Sequence, residues 1–226
     1  MTPKIIFGTG NWGSATSPFS TVQTQEQAEP FYEILKSHNV TTVDTSRAYP
    51  MGAPGTCETL LGQLNTSQRF KVDTKVLSDP GHHQSARATE SVKSSLEALG
   101  TNKVGILYLH YPDRTVPLIE PLRVLNEAYK EGKFERFGLS NYSAAEVVEI
   151  LKICEKEGFV KPSVYQGQYN ALCRRGEEQL FPTLRANNIA FYAYSPSAGG
   201  AFNASSTRMA NQVSHTSRPL APIVII

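Results

Sequence analysis

An acid, a phenol, an ammonium and an imidazole fall at the ends of successive strand-like runs of this chain. They are Asp44 and Tyr49 in VDTSRAY, Lys75 in FKVDTK and His110 in ILYLHYPD. Ser140 and Asn141 in FGLSN and Gln166 in VYQGQYN add hydroxyl and amide groups at two further strand ends. Reduction of a carbonyl needs such a set. As a hydride reaches carbon, negative charge grows on oxygen and a proton must reach that oxygen. A free phenol, with a pKa of roughly 10, is a poor acid at neutral pH. A neighbouring ammonium favours the phenolate and lowers that value. Lys75 is expected to act in this way on Tyr49, Asp44 to hold Lys75 charged and oriented, and His110 to donate a hydrogen bond to the carbonyl oxygen. Singly, each residue has an ordinary explanation as packing, a solvated side chain or a hydrogen-bonded strand end. Their succession along the chain is what points to chemistry.

The elements that must position them alternate. KIIFGTG, TTVDTS, RFKVDTKV, VGILYLH, FERFGLSN, PSVYQGQYN and IAFYAYSP read as strands, with helical patterns between them. In ARATESVKSSLEALG, Val92, Leu96 and Leu99 share a face and Gly100 is a stop. Ser143 and Glu146 form a capping-box pattern ahead of AAEVVEILKICEKEG. Strands joined through helices make a parallel sheet. Apolar runs such as VGILYL suit strands covered on both faces. An open doubly wound sheet gathers its ligand at one switch point, whereas a barrel collects chemistry from many strand ends. Here strands two to seven all end in usable polar groups, which favours an α/β fold of the (β/α)8 TIM type. After YSPSAGG the pattern stops, so the barrel is expected to be incomplete, with about seven strands and the eighth strand and C-terminal helices missing or replaced. IVII, at 223–226, could pair as a short strand. The organisation expected is a barrel domain over 1–200 and an irregular tail over 201–226.

Gly8, Gly10 and Gly13 match G-x-G-x-x-G after an apolar strand. A dinucleotide fingerprint also needs a helix opening at the third glycine and an acid closing the next strand about 20 residues on. SATSPFST supplies neither. The glycines are better read as turning the first strand over the barrel mouth. Trp12 would then line a substrate pocket, together with Tyr49, His110 and Tyr111.

Composition narrows the partners. With 40% hydrophobic and 19% charged residues and a net charge of +2, nothing calls for nucleic acid or a polyanion. No apolar run approaches the ~20 residues of a membrane span, and no secretory leader is evident. The three cysteines, Cys57, Cys154 and Cys173, show no C-x-x-C spacing, so a reduced cytoplasmic protein with no metal is expected.

The words VDTSRAYPMGAPGTCETLLGQL, FKVDTKV, LYLHYPD, FGLSNYS, YQGQYNALCRRGEEQLFPTLR and FYAYSPSAGG resemble the aldo-keto reductases, closest to the aflatoxin-aldehyde reductase type. The resemblance implies an NADPH-dependent oxidoreductase on a (β/α)8 barrel that turns an aldehyde or ketone into an alcohol. Its catalytic tetrad falls on Asp44, Tyr49, Lys75 and His110. Its nicotinamide contacts fall on Ser140, Asn141 and Gln166, with Asp44 counted among the cofactor contacts and Tyr194 as the stacking ring. The loop of Ser195, Pro196, Ser197 and Gly199 matches the segment crossing the pyrophosphate. The aromatic lining by Trp12, Tyr49 and Tyr111 suits a fairly apolar or aromatic carbonyl molecule, as in secondary metabolism. The family's stretch after the seventh strand, which grips the 2′-phosphate, has no counterpart, so the chain reads as truncated at its C-terminus and its open edges as surface for a second copy. Two other readings fit the same scaffold. One is a cofactor-independent isomerase, dehydratase or cyclase, and the other a non-enzymatic interaction protein.

Overall fold

Eight strands pair in parallel in the order in which the chain makes them. The computed structural model describes residues 4–201 and the backbone of residues 223–225. The strands are β1 (Phe7–Gly8), β2 (Thr42–Asp44), β3 (Lys71–Val76), β4 (Val104–Leu109), β5 (Phe134–Ser140), β6 (Val164–Gln168), β7 (Ala190–Tyr194) and β8 (Ile223–Ile225). The connections carry α1 (Gln25–Ser37), α2 (Thr56–Gln63), α3 (Thr66–Arg69), α4 (Ser85–Leu99), α5 (Ile119–Lys130), α6 (Ala144–Glu157) and α7 (Leu180–Ala186). The result is a curled, incomplete (β/α)8 barrel. Among the described residues β1 pairs only with β2, and β8 only with β7.

Between β7 and β8 the described residues form only a short 3-10 turn, Ala198–Gly200. The IVII segment thus supplies a three-residue strand in the eighth place, in register with Phe191–Ala193. The rest of the irregular tail expected over 201–226 lies outside the described residues, apart from Ala201.

Alternation along the strands separates two cores. Val43, Val72, Leu107, Leu109, Phe137, Leu139 and Phe191 are buried in one continuous cluster with helix residues such as Leu61, Leu96, Leu122, Leu125 and Ile150. The residues between them face inward, because side chains of a strand point to opposite faces in turn. Ile6, Ile106, Tyr108, Val164 and Tyr192 form this smaller inner cluster. The register sets Asp44 opposite Asp73, Lys75 opposite Tyr108, and Ser140 opposite Gln166. Polar residues at strand ends therefore share one side of the curl.

The helices begin and end as their sequences direct. In α6 Ser143 and Glu146 complete the capping box, each side chain meeting the other's backbone N–H. α4 buries Ala88, Val92, Leu96 and Leu99 on one stripe and stops at Gly100. No helix opens at Gly13, since α1 starts at Gln25, so the glycine triplet is a strand-to-loop turn. A Cβ at Gly13 would come within 2.6 Å of the Thr56 hydroxyl and 2.9 Å of the Cys57 backbone nitrogen, so this glycine lets the loop lie against the start of α2.

Candidate active site

The carboxyl ends of the strands surround a cavity of about 420 Å³. Asp44, Tyr49, His110, Tyr111, Ser140, Asn141, Gln166, Tyr194 and Ser195 line it, as do Gly8 and Gly10 of the first strand and turn. A larger groove of about 720 Å³ lies outside, between α4 and α5. Its walls are helix surface such as Lys93, Glu97, Arg123 and Glu127, whereas the polar strand-end residues converge on the smaller cavity.

Lys75 stands behind that cavity, fully buried. Its ammonium pairs closely with Asp44 Oδ1 and donates to the Thr45 carbonyl at 2.8 Å. It lies 5.1 Å from the centre of the Tyr49 ring and 5.6 Å from that of Tyr108. No hydrogen bond joins it to the Tyr49 hydroxyl among the described residues. Gln166 Nε2 donates to the other Asp44 oxygen at 2.9 Å. Asp44 is thus held from two sides and fixes the lysine in turn.

The electrostatics amend one expectation. Burial pushes the Tyr49 hydroxyl above its ordinary pKa, and the opposing pull of Lys75 does not reverse the direction. The phenol therefore stays protonated beside the cation rather than being made more acidic by it. Burial draws the Lys75 pKa down, but Asp44 and Tyr49 outweigh it and the net direction is up. His110 is pushed down to about 3, by burial first and the Lys75 charge second, so its ring is neutral. That ring stands edge-on to Tyr49 with centroids 5.6 Å apart, and 4.6 Å from the ring of Tyr111.

Opposite these groups lies an amide cluster. Asn141 Nδ2 donates to the His110 carbonyl at 2.9 Å and to Ser140 Oγ at 3.0 Å, and Tyr194 donates to Asn141 Oδ1 at 2.8 Å. These bonds fix the Tyr194 ring and leave Asn141 Oδ1 a second lone pair and the Ser140 hydroxyl hydrogen for a ligand. That donor and acceptor set fits a primary amide. Ser195 and Asn141 both adopt positive φ, 55° and 66°. The turn after Ser195 spends the Ala198 and Gly200 N–H groups on Ser195 and Ser197 carbonyls, and Pro196, Ser197 and Gly199 lie outside the cavity lining.

Trp12 is the clear misplacement. The sequence reading set it in the substrate pocket, whereas it is 2% exposed and packs against Phe7, Phe31 and Tyr32 at 5.5–5.8 Å. A bridge to Val22 turns its backbone toward α1. Burying an indole in an aromatic cluster is worth more than leaving it at a wet rim.

Sequence reasoning also passed over Ser46, Arg47, Glu58 and Asp73. Ser46 Oγ is 3.0 Å from His110 Nδ1. Arg47 bonds the buried Glu58 at 3.1 Å, and Glu58 accepts from Thr74 at 2.6 Å, which ties the turn before Tyr49 to α2 and β3. Asp73 accepts from the Ile106 N–H at 2.8 Å. The signal was present in the words themselves, since Ser46 and Arg47 sit inside DTSRAY and Asp73 two before Lys75. Among the described residues no three His, Cys, Asp or Glu side chains converge as a metal requires.

Known proteins are similar to this chain. The model of the aldo/keto reductase family matches residues 4–222. An oxidoreductase named sirO of Leptosphaeria maculans is 41% identical over 199 residues, 86% of this chain and 59% of that protein. Human aldo-keto reductase family 7 member A3 is 40% identical over 166 residues, 71% of this chain and 49% of its own length. Human aflatoxin B1 aldehyde reductase member 4 is 40% identical over 166 residues, with the same shares of 71% and 49%. The chain thus spans about half to three fifths of the length of these relatives.

Proposed function

The chain belongs to the aldo/keto reductase family, and on that premise we propose that its cavity reduces an aldehyde or ketone to the alcohol with NADPH. The observation that carries this reading is the convergence of Tyr49, His110 and Asp44 on one cavity, with the Lys75 ammonium 5.1 Å behind the Tyr49 ring. The amide cluster supports the cofactor half of the proposal. Ser140, Asn141 and Gln166 would hold the nicotinamide carboxamide, Tyr194 would carry the ring face, and the turn from Ser195 would run beside the phosphates. A bound reduced nicotinamide supplies the hydride.

The side chains do the rest. His110 donates a hydrogen bond to the substrate oxygen and orients it. Tyr49, half-buried and kept protonated, gives its proton to that oxygen as the oxygen becomes an alkoxide, a far stronger base than a phenolate. Lys75 stabilises the tyrosinate left behind, so its charge acts on the product of the proton transfer. Asp44 keeps Lys75 in place. Preference for NADPH over NADH, and an apolar or aromatic carbonyl of secondary metabolism as substrate, extend the resemblance in the sequence and the lining by Tyr49 and Tyr111. Cytoplasmic residence fits three free cysteines. Among the described residues no helix is long and apolar enough to cross a membrane. A second copy would suit the sides of β1 and β8 that have no partner strand among the described residues.

Titration with NADPH and NADH, with turnover of an aromatic aldehyde, tests the reading. Tyr49→Phe should lower turnover by about 10²–10⁴-fold, the usual worth of a positioned proton donor, and leave cofactor affinity within twofold. Retained turnover refutes the assignment. Catalysis without any nicotinamide would instead favour the isomerase, dehydratase or cyclase reading.

A further inference from the structure

We propose that Ser46 is a positioning residue that sets the tautomer of His110, placing the single imidazole proton on Nε2, the nitrogen that can meet a substrate oxygen. The inference deepens the reductase reading and rests on it for its catalytic consequence, though not for its structural content.

A neutral imidazole has one N–H donor and one acceptor nitrogen, and the partner of one nitrogen decides which is which. Here Nδ1 faces Ser46 Oγ at 3.0 Å. Ser46 is fully buried and has two hydrogen bonds through its hydroxyl among the described residues. One is accepted from the Ala48 N–H at 3.1 Å. The other is the contact with His110. A serine hydroxyl carries one hydrogen, so two arrangements exist. If Ser46 donates to Nδ1, its hydrogen, its lone pair and Nδ1 are all matched, and the ring proton resides on Nε2. If Nδ1–H donates to Ser46, the hydroxyl accepts twice and its own hydrogen is buried with no acceptor among the described residues. An unmatched buried donor is the costlier choice. The neutral ring, with its pKa near 3, makes this choice of tautomer matter, since an imidazolium would donate from both nitrogens.

The consequence lies at the cavity. His110 lines it, and among the described residues Nε2 is neither bonded to protein nor sealed among the buried unpaired atoms. Nε2–H polarises a carbonyl, whereas a bare Nε2 would repel it with its lone pair. The same turn orients the proton donor, because the Ser46 carbonyl accepts the Tyr49 N–H at 3.0 Å. Ser46 therefore ties the hydrogen-bond donor and the acid to one short piece of backbone without touching substrate.

The decisive measurement is the two-bond ¹H–¹⁵N correlation spectrum of protein labelled in its histidines, with His110 assigned by loss of its signals in His110→Gln. In the native chain the Nε2-protonated pattern is expected. In Ser46→Ala the two ring nitrogens should move toward averaged shifts, and Ser46→Thr, which keeps the hydroxyl, should restore the native pattern. A native ring protonated at Nδ1 overturns the proposal even if no variant folds, and so does an unchanged pattern in Ser46→Ala. In the aldehyde assay, kcat/KM of Ser46→Ala should fall about 3- to 10-fold, the scale of one neutral hydrogen bond. NADPH affinity should stay within twofold and Ser46→Thr should recover most of the loss. If the native chain reduces nothing while the spectrum is as expected, the reductase reading fails and the tautomer assignment stands.

Discussion

Replacing Asp73 by Asn should make the protein less sensitive to alkaline pH, by an amount the structure allows to be worked out. Asp73 is 1% exposed, and β2 and β3 set it opposite Asp44, so two carboxyl groups share the neighbourhood of one ammonium. Lys75 is already paired with Asp44. Burial, and then the Asp44 charge, push the Asp73 pKa up from 3.8 to about 7. The folded chain thus keeps a proton that the unfolded chain loses near pH 4. The contribution of Asp73 to stability therefore falls as pH rises between those values and levels off above pH 7. At about 1.4 kcal/mol per unit, the full penalty approaches ~4 kcal/mol, of which roughly 2.5 kcal/mol accrues between pH 5 and pH 8. Asn imitates the protonated acid and can still accept from the Ile106 N–H. With a urea m-value of about 2–3 kcal/mol/M, the native midpoint should drop roughly 1 M more than that of Asp73→Asn over this range. Unfolding curves at pH 5, 6, 7 and 8 provide the assay. Midpoints of the two proteins that run parallel across that range would refute the argument.

Other expectations are simpler. His110, with its pKa near 3, should show no imidazolium titration between pH 5 and 8 in its ring proton shifts, and a midpoint inside that window would contradict the neutral ring. Gly62→Ala would bring a Cβ within 2.0 Å of the Ala98 carbonyl oxygen, backbone of α4. The variant should lose at least about 2 kcal/mol, or roughly 4–8 °C in Tm, by calorimetry, and an unchanged Tm would show that α2 and α4 do not lie so close. Trp12→Phe should cost about 1–2 kcal/mol, less than truncation to alanine, and leave NADPH affinity within twofold by calorimetric titration. A larger affinity change would bring the indole back to the ligand.

The parts of the fold legible in the sequence were those written in periodicity and end signals. Ser143 with Glu146, the stripe of Val92, Leu96 and Leu99, and the apolar run of β4 each name their element, because local hydrogen bonding and one buried face determine them. The gathering of Asp44, Tyr49, His110, Ser140, Asn141 and Gln166 on one side follows from strand alternation, and strand ends can be read in a linear sequence. Trp12 could not be placed, since its neighbours Phe31 and Tyr32 come from α1 and only folding brings them together. The direction of the Tyr49 pKa was missed for a related reason. A lysine on the next strand is visible as a charge, whereas the degree of burial is a property of the whole assembly. Ser46 and Asp73 were visible as letters, but their importance lies in contacts to residues 64 and 33 positions distant.

The sheet's spatial order repeats the order of synthesis, each strand lying beside the one made just before it. Such a sheet can grow on the ribosome by simple addition, with every new strand finding a finished neighbour and no earlier pairing to prise open. A change at its last member would leave the pairings of β2–β6, at whose ends Asp44, His110, Ser140 and Gln166 line the cavity, as they are.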